Sequence, residues 1–169
     1  MDLLSFDAEP LFFDNPPSEE VVQLIQQATE DYKSGAAEIF LRRAYDLAPE
    51  NLMVLVTLFR YYFYQQRFTD ATVISQQARA VIRHQLGLPD DWREMSEARL
   101  FGGNQNNMVM VRFYLLCLKG EAYMLVRQGQ FDEGIALLNK IIEMDAKDHL
   151  AATALLAIAK QQFDPAIQP

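Results

Sequence analysis

The side chains best suited to metal binding or to nucleophilic catalysis are few: two histidines, His84 and His149, and one cysteine, Cys117. The histidines lie 65 residues apart on different predicted helices, and neither a His-x-x-x-His nor a Cys-x-x-Cys spacing occurs. Cys117 stands in the apolar run Phe113-Tyr114-Leu115-Leu116-Cys117-Leu118, where a small buried apolar role is expected rather than that of a nucleophile. Gly102-Gly103 lacks the lysine and the serine or threonine that follow in a phosphate loop. The paired acids Glu19-Glu20, Asp90-Asp91 and Asp132-Glu133 fall at predicted helix starts, where the helix dipole accounts for them without catalysis. With no constellation of acid, base and nucleophile, the sequence predicts no enzyme, no catalytic residues, no metal and no cofactor.

Composition narrows the class further. Half of the 169 residues are apolar, enough for one domain or a short solenoid with a real core. The formal charge of −8 excludes a general nucleic-acid binder, which needs a surplus of lysine and arginine to neutralise phosphates. Residues 1–50 hold eleven acids and three bases and so carry the whole excess, while the other 119 residues have twelve of each sign. A single cysteine excludes an intrachain disulfide, and Met1-Asp2-Leu3 lacks the basic start of a signal peptide, so a cytoplasmic location is expected. The longest apolar runs, Leu52 to Phe59 and Leu150 to Ala159, fall far short of the roughly 20 residues a membrane helix requires.

Residues 1–17 contain Pro10, Pro16 and Pro17 among Phe6, Leu11, Phe12 and Phe13, and they read as an extended acidic and aromatic tail. Ser18 caps a helix expected over about Glu19–Lys33, which Gly35 breaks, and a second helix runs to Leu47 before Pro49. A long apolar helix from Asn51 to Gln66 and a partner opened by Thr69 or Asp70 and continuing to about Gln85 form a second hairpin. Gly87-Leu88-Pro89 interrupts the pattern. A short helix is expected over Trp92–Leu100, then a turn-rich stretch at 102–107, so that an insertion occupies about 86–107. A third hairpin follows, Met108–Arg127 and Phe131–Met144, with a capping helix over about Asp148–Gln162 and a tail at 163–169. The domain is thus expected over 18–162, all-α.

The first two hairpins repeat at 34 residues: Leu24, Ala37, Phe40 and Ala44 are matched by Leu58, Ala71, Ile74 and Ala78. Pro49 closes the first unit, and Phe68-Thr69-Asp70-Ala71 opens the second helix of the next on an aromatic-acidic-Ala signature, which Phe131-Asp132-Glu133-Gly134 follows in a third unit. In these residues the chain resembles the tetratricopeptide repeat family over about residues 18–150. The resemblance implies a short right-handed superhelix of antiparallel hairpins, about three units plus a C-terminal capping helix. The chain departs from the pattern at Glu121, Gly134 and Ala146 in the third unit, where a large apolar residue, a small alanine and a proline are usual. It departs also at Ile25 and Phe59, where a small residue is preferred.

The same resemblance implies a concave groove lined by the first helix of each hairpin, and the repeat register assigns to it Val22 and Gln26, then Met53, Val56, Arg60, Phe63 and Tyr64, then Leu116, Lys119, Tyr123 and Arg127. Such a groove suits an extended partner segment carrying carboxylates and aromatic rings. The alternative is that Phe63 and Tyr64 are core and the bases solvated. The lysine, asparagine, asparagine, lysine, arginine set by which some members of the family clamp a chaperone's C-terminal carboxylate is absent, its places being held by Val22, Gln26, Thr57, Leu116 and Gly120.

Function is therefore expected to be protein binding, by an adaptor or scaffold that takes a segment of another protein. The alternatives are a small cytoplasmic chaperone resembling the acidic repeat chaperones of bacterial secretion systems, and a self-associating structural protein. Against the chaperone stands the insertion between the second and third repeats. The segment Asp7-Ala8-Glu9-Pro10-Leu11-Phe12-Phe13-Asp14 has the chemistry the groove would accept, so the tail either occupies the groove, in its own chain or exchanged in a homodimer, or stays disordered. Trp92 in the insertion is a secondary candidate, as a partner anchor or as a cover for the end of the second hairpin.

Overall fold

The computed structural model describes residues 13–163, and among these every regular element is a helix, with no strand. The readings placed on residues 1–12 and 164–169 lie outside the described residues. Residues 13–17 carry no helix. The chain divides into two compact units at 81/82.

In the N-terminal unit, α1 (Glu19–Glu30) begins at Ser18, whose hydroxyl accepts from the Val21 N–H, and Glu19 and Glu20 sit where the dipole favours them. The helix ends three residues before the expected Lys33. Tyr32–Ser34 tightens into a 3-10 turn, and Gly35 then takes φ 80°, a left-handed conformation that the absence of a Cβ makes accessible. α2 (Ala37–Leu47) buries Ala37, Leu41 and Ala44, one stripe at helical spacing. It stops where Pro49 disfavours helix at Ala48.

Asn51 caps α3 (Leu52–Tyr64), its Oδ1 accepting from the N–H groups of Met53 at 3.0 Å and Val54 at 3.4 Å, while its Nδ2 donates to the Asn15 carbonyl at 3.2 Å. Nine of the thirteen residues of α3 are buried, so it is the central helix of this unit. α4 (Phe68–Leu86) starts one residue ahead of the expected Thr69 or Asp70. Ala71 and Ala78, the matches of Ala37 and Ala44, are fully buried like them. Arg67 ties three helices at this corner. Its Nη1 lies 2.6 Å from Glu38 of α2 and its Nε 2.9 Å from Asp70 of α4, and its guanidinium covers the Tyr62 ring of α3 at 4.6 Å. Further along, Tyr45 donates to Gln77 Oε1 at 2.6 Å, and Gln77 Nε2 donates to the Pro49 carbonyl at 2.9 Å.

In the C-terminal unit the helix expected over Trp92–Leu100 is two short pieces, a 3-10 turn Trp92–Glu94 and α5 (Glu97–Phe101). The break is Met95, buried in an extended conformation (ψ 147°), with Lys140 Nζ donating to its carbonyl at 3.1 Å; Ser96 then restarts the helix by capping Arg99 N–H. α6 (Met108–Arg127) is central here, with thirteen of its twenty residues buried, Cys117 among them. α7 (Phe131–Met144) packs on it through Gly134, Leu137, Leu138 and Ile141. Gly134 has a definite cause. A Cβ there would stand 2.9 Å from Val126 Cγ2, closer than a Cβ comes to any neighbour without a shift, and a tight 3.3 Å from the Ala122 carbonyl oxygen. α8 (Ala152–Phe163) packs on α7 and begins four residues after the expected Asp148, because Asp148 and Ala151 both take φ 51° and break the helical path.

Candidate functional site

A pocket of about 620 Å³ lies within the N-terminal unit, between the C-terminal end of α1, the turn after it, and the second half of α3. Ala28, Thr29 and Glu30 contribute from α1, Tyr32 and Lys33 from the 3-10 turn, Leu41 from α2, and Thr57, Arg60, Tyr61 and Tyr64 from α3. Arg60 and Tyr64 are one helical turn apart on α3 and so share a face. Thr57 lies one turn earlier, its hydroxyl donating to the Met53 carbonyl at 2.8 Å.

Three tyrosines form the wall. Tyr32 and Tyr61 meet edge to face, centroids 5.9 Å apart at 86°, which sets the 3-10 turn against α3. Burial, and then the Glu38 carboxylate, raise the Tyr61 phenol above its ordinary range, so it is a neutral donor throughout the physiological range. Tyr64 is 48 % exposed and makes a T-shaped contact with Phe63, centroids 5.9 Å apart. Arg60 is half-buried, and no acid among the described residues pairs with it. It is also the one charged residue of α3. A guanidinium beside tyrosine rings, with its donors available, can take a carboxylate bidentately or stack on an aromatic ring.

The structure thus brings together Arg60 and Tyr64 of the residues assigned by register. In the same unit Val22 and Met53 are half-buried and Gln26 is exposed, and none of the three lines the pocket, whereas Val56 and Phe63 are buried, Phe63 among Phe59, Tyr64 and Phe68. In the C-terminal unit Leu116 and Lys119 are buried, Tyr123 is half-buried and Arg127 is exposed, its Nη1 donating to the Tyr123 hydroxyl at 2.7 Å. Trp92 is half-buried under the Arg93 guanidinium, 4.3 Å from the ring centroid. Tyr32, Lys33 and Tyr61 are pocket residues that sequence reasoning missed. The signal for the first two was Gly35, which marks a turn able to fold its preceding residues back over α3.

Among the described residues no group of three histidine, cysteine or acidic side chains could hold a metal ion, and no helix is long and apolar enough to cross a membrane.

No family model matches the chain, and no solved structure matches it. A relative in Azotobacter chroococcum mcd 1, named "Uncharacterized 19.8 kDa protein in nifW 5'region", is 39 % identical over 158 residues, covering 94 % of this chain and 88 % of the relative. The chain belongs to the family of that Azotobacter protein.

Proposed function

We propose that this protein is a cytoplasmic protein-binding module of tetratricopeptide-like hairpins, an adaptor rather than an enzyme, and that the Arg60 pocket takes an extended acidic and aromatic segment of a partner. The packed helix pairs α1–α2 and α6–α7, and the full burial of Ala37, Ala44, Ala71 and Ala78 at the 34-residue spacing, support the repeat reading. α8 in the position of a terminal cap agrees with it.

The observation that carries the binding reading is Arg60. A helix buried at nine of thirteen positions holds one cation, half-buried and without an acid partner among the described residues, in an open pocket walled by tyrosines. Partial burial of an unpaired charge costs free energy that a partner carboxylate offsets, and arginine and tyrosine are the residues on which binding energy concentrates. The 87–107 stretch, lying between the second hairpin and the third, favours an adaptor over a client chaperone with uninterrupted repeats.

The test is affinity capture from native extract with the wild-type chain, followed by titration of the purified partner against wild type, Arg60→Glu and Arg127→Glu, all checked for fold by circular dichroism. Arg60→Glu is expected to weaken binding at least tenfold, or about 1.4 kcal/mol. Undiminished affinity in Arg60→Glu refutes the pocket as the binding site; a loss confined to Arg127→Glu moves the site to the C-terminal unit.

A further inference from the structure

A second pocket, of about 370 Å³, lies wholly within the C-terminal unit, between α5, the first half of α6 and the turn joining α7 to α8. Its floor is apolar, with Leu115 and Met144 buried and Met108 on the wall. Its rim is polar, with Lys147 and His149 on the turn, Arg112 on α6 and Glu97 on α5.

The turn is tightly specified. Asp145 is buried, its Oδ2 accepting from the Leu150 N–H at 2.9 Å and its Oδ1 lying 3.1 Å from His149 Nδ1. A carboxylate only accepts, so Nδ1 carries the proton in this contact and Nε2 is left without a hydrogen bond among the described residues. Two further hydrogen bonds, Asp148 N–H to the Asp145 carbonyl at 2.8 Å and Ala151 N–H to the Asp148 carbonyl at 3.0 Å, wind the segment tightly. Asp148 and Ala151 hold φ 51°, a left-handed conformation disfavoured for a residue with a Cβ. This rigid turn places His149, 52 % exposed at the side chain, and Lys147, which has no acid partner among the described residues, at the mouth of an apolar pocket.

We propose that this pocket binds a small monoanion with an apolar body, a carboxylate carried on an aromatic or branched hydrocarbon. The volume lies at the lower end of the range for small-molecule sites, about 300–1,000 Å³, and a floor of leucine and methionine with a few polar groups at the mouth is the composition such sites have. Lys147 and Arg112 are the charged donors on the lining that receive the carboxylate. Glu97 on the same lining opposes a second negative charge, so a monocarboxylate is preferred to a phosphate dianion.

The experiment titrates 4-phenylbutyrate into the isotope-labelled full chain and follows backbone amide shifts. The comparison ligands are 4-phenylbutan-1-ol, which keeps the body and loses the charge, and phenyl phosphate, which adds one. Expected are saturable shifts confined to residues 97–115 and 144–150, at least fivefold weaker binding of the alcohol and of phenyl phosphate, and at least fivefold weaker binding of 4-phenylbutyrate to Lys147→Glu. Ala146→Trp, at an exposed position on the lining, is expected to close the mouth and abolish the shifts without touching the core. No saturable shift in the wild type, equal binding of the alcohol, or unchanged binding by both variants overturns the proposal. Neither result bears on the Arg60 pocket, which lies in the other unit.

Discussion

Gly134 of α7 faces Val126 and Ala122 of α6 at close range, and replacing it by alanine sets two effects of known sign against each other. Alanine is favoured over glycine inside a helix by about 1 kcal/mol. Against this, the new methyl would meet Val126 Cγ2 at 2.9 Å, where ordinary contact begins near 3.4 Å, and the Ala122 carbonyl oxygen at 3.3 Å. Valine is stiff at χ1 and the carbonyl belongs to the backbone of α6, so neither neighbour yields freely. Overpacking by one methyl costs about 1–3 kcal/mol, which leaves a net loss of about 1 kcal/mol. In a Val126→Ala background the closest obstacle is gone, and the same Gly134→Ala change becomes neutral to stabilising by about 0.5 kcal/mol, the propensity gain less the remaining carbonyl contact. The coupling across the double-mutant cycle is therefore about 1.5 kcal/mol, well above the 0.3–0.5 kcal/mol or so within which independent sites add. Trp92, the single tryptophan, belongs to the C-terminal unit, so its fluorescence during urea unfolding reads that unit. Additivity of the two substitutions, or a Gly134→Ala chain more stable than wild type, would refute the close-approach argument.

The N-terminal unit offers three further tests. Arg67→Ala removes contacts to Glu38 and Asp70, but Arg67 is 39 % exposed and solvent screens both pairs, so a loss of about 1 kcal/mol is expected, smaller in 1 M salt than in 0.05 M. Asn51→Ala removes the cap of α3 together with the hydrogen bond to the Asn15 carbonyl, with an expected cost of about 1 kcal/mol in urea unfolding. Burial first, and then Glu38, raise the Tyr62 phenol above its ordinary value of 10.0. The folded chain therefore holds this proton longer than the unfolded one, so the stabilisation is complete below pH 10 and is lost as pH rises through the folded value. Tyr62→Phe is expected to flatten the fall in stability above pH 10, and an unchanged slope would show that this phenol ionises as freely as an exposed one.

What the sequence made legible follows from where the physics is local. The C-terminal ends of α2 and α6 and the start of α7 coincide with the expected residues because Pro49 and Gly129 punctuate them. The Trp92–Leu100 segment broke differently because burial of Met95 is compatible with helix and with extended backbone alike, and no proline or glycine marks the break. The late start of α8 rests on a left-handed alanine, Ala151, for which sequence carries no signal; Asp148, read as the opener, instead accepts from the Thr153 N–H at 3.2 Å across the break.

The same distinction governs the Arg60 pocket. Arg60 and Tyr64 could be paired from spacing, since four residues on one helix share a face whatever surrounds them. Val56 and Phe63 could not be separated from them, because α3 is apolar nearly all round and offers no polar face against which to set a register. Tyr32 and Lys33 reach the pocket only because the chain leaves helix at Asp31 and reverses at Gly35, a tertiary arrangement held by the Tyr32–Tyr61 ring contact. Local chemistry therefore supplies the cation, and tertiary packing supplies the walls. That division makes Arg60→Glu and Tyr32→Ala separable perturbations: the first reverses the charge on an intact wall, the second opens the wall around an intact charge. If the pocket binds an acidic and aromatic segment, a partner's carboxylate-to-amide variants lose their dependence on residue 60 in the first chain and keep it in the second, whereas a surface that merely attracts negative charge would lose affinity with salt in both alike.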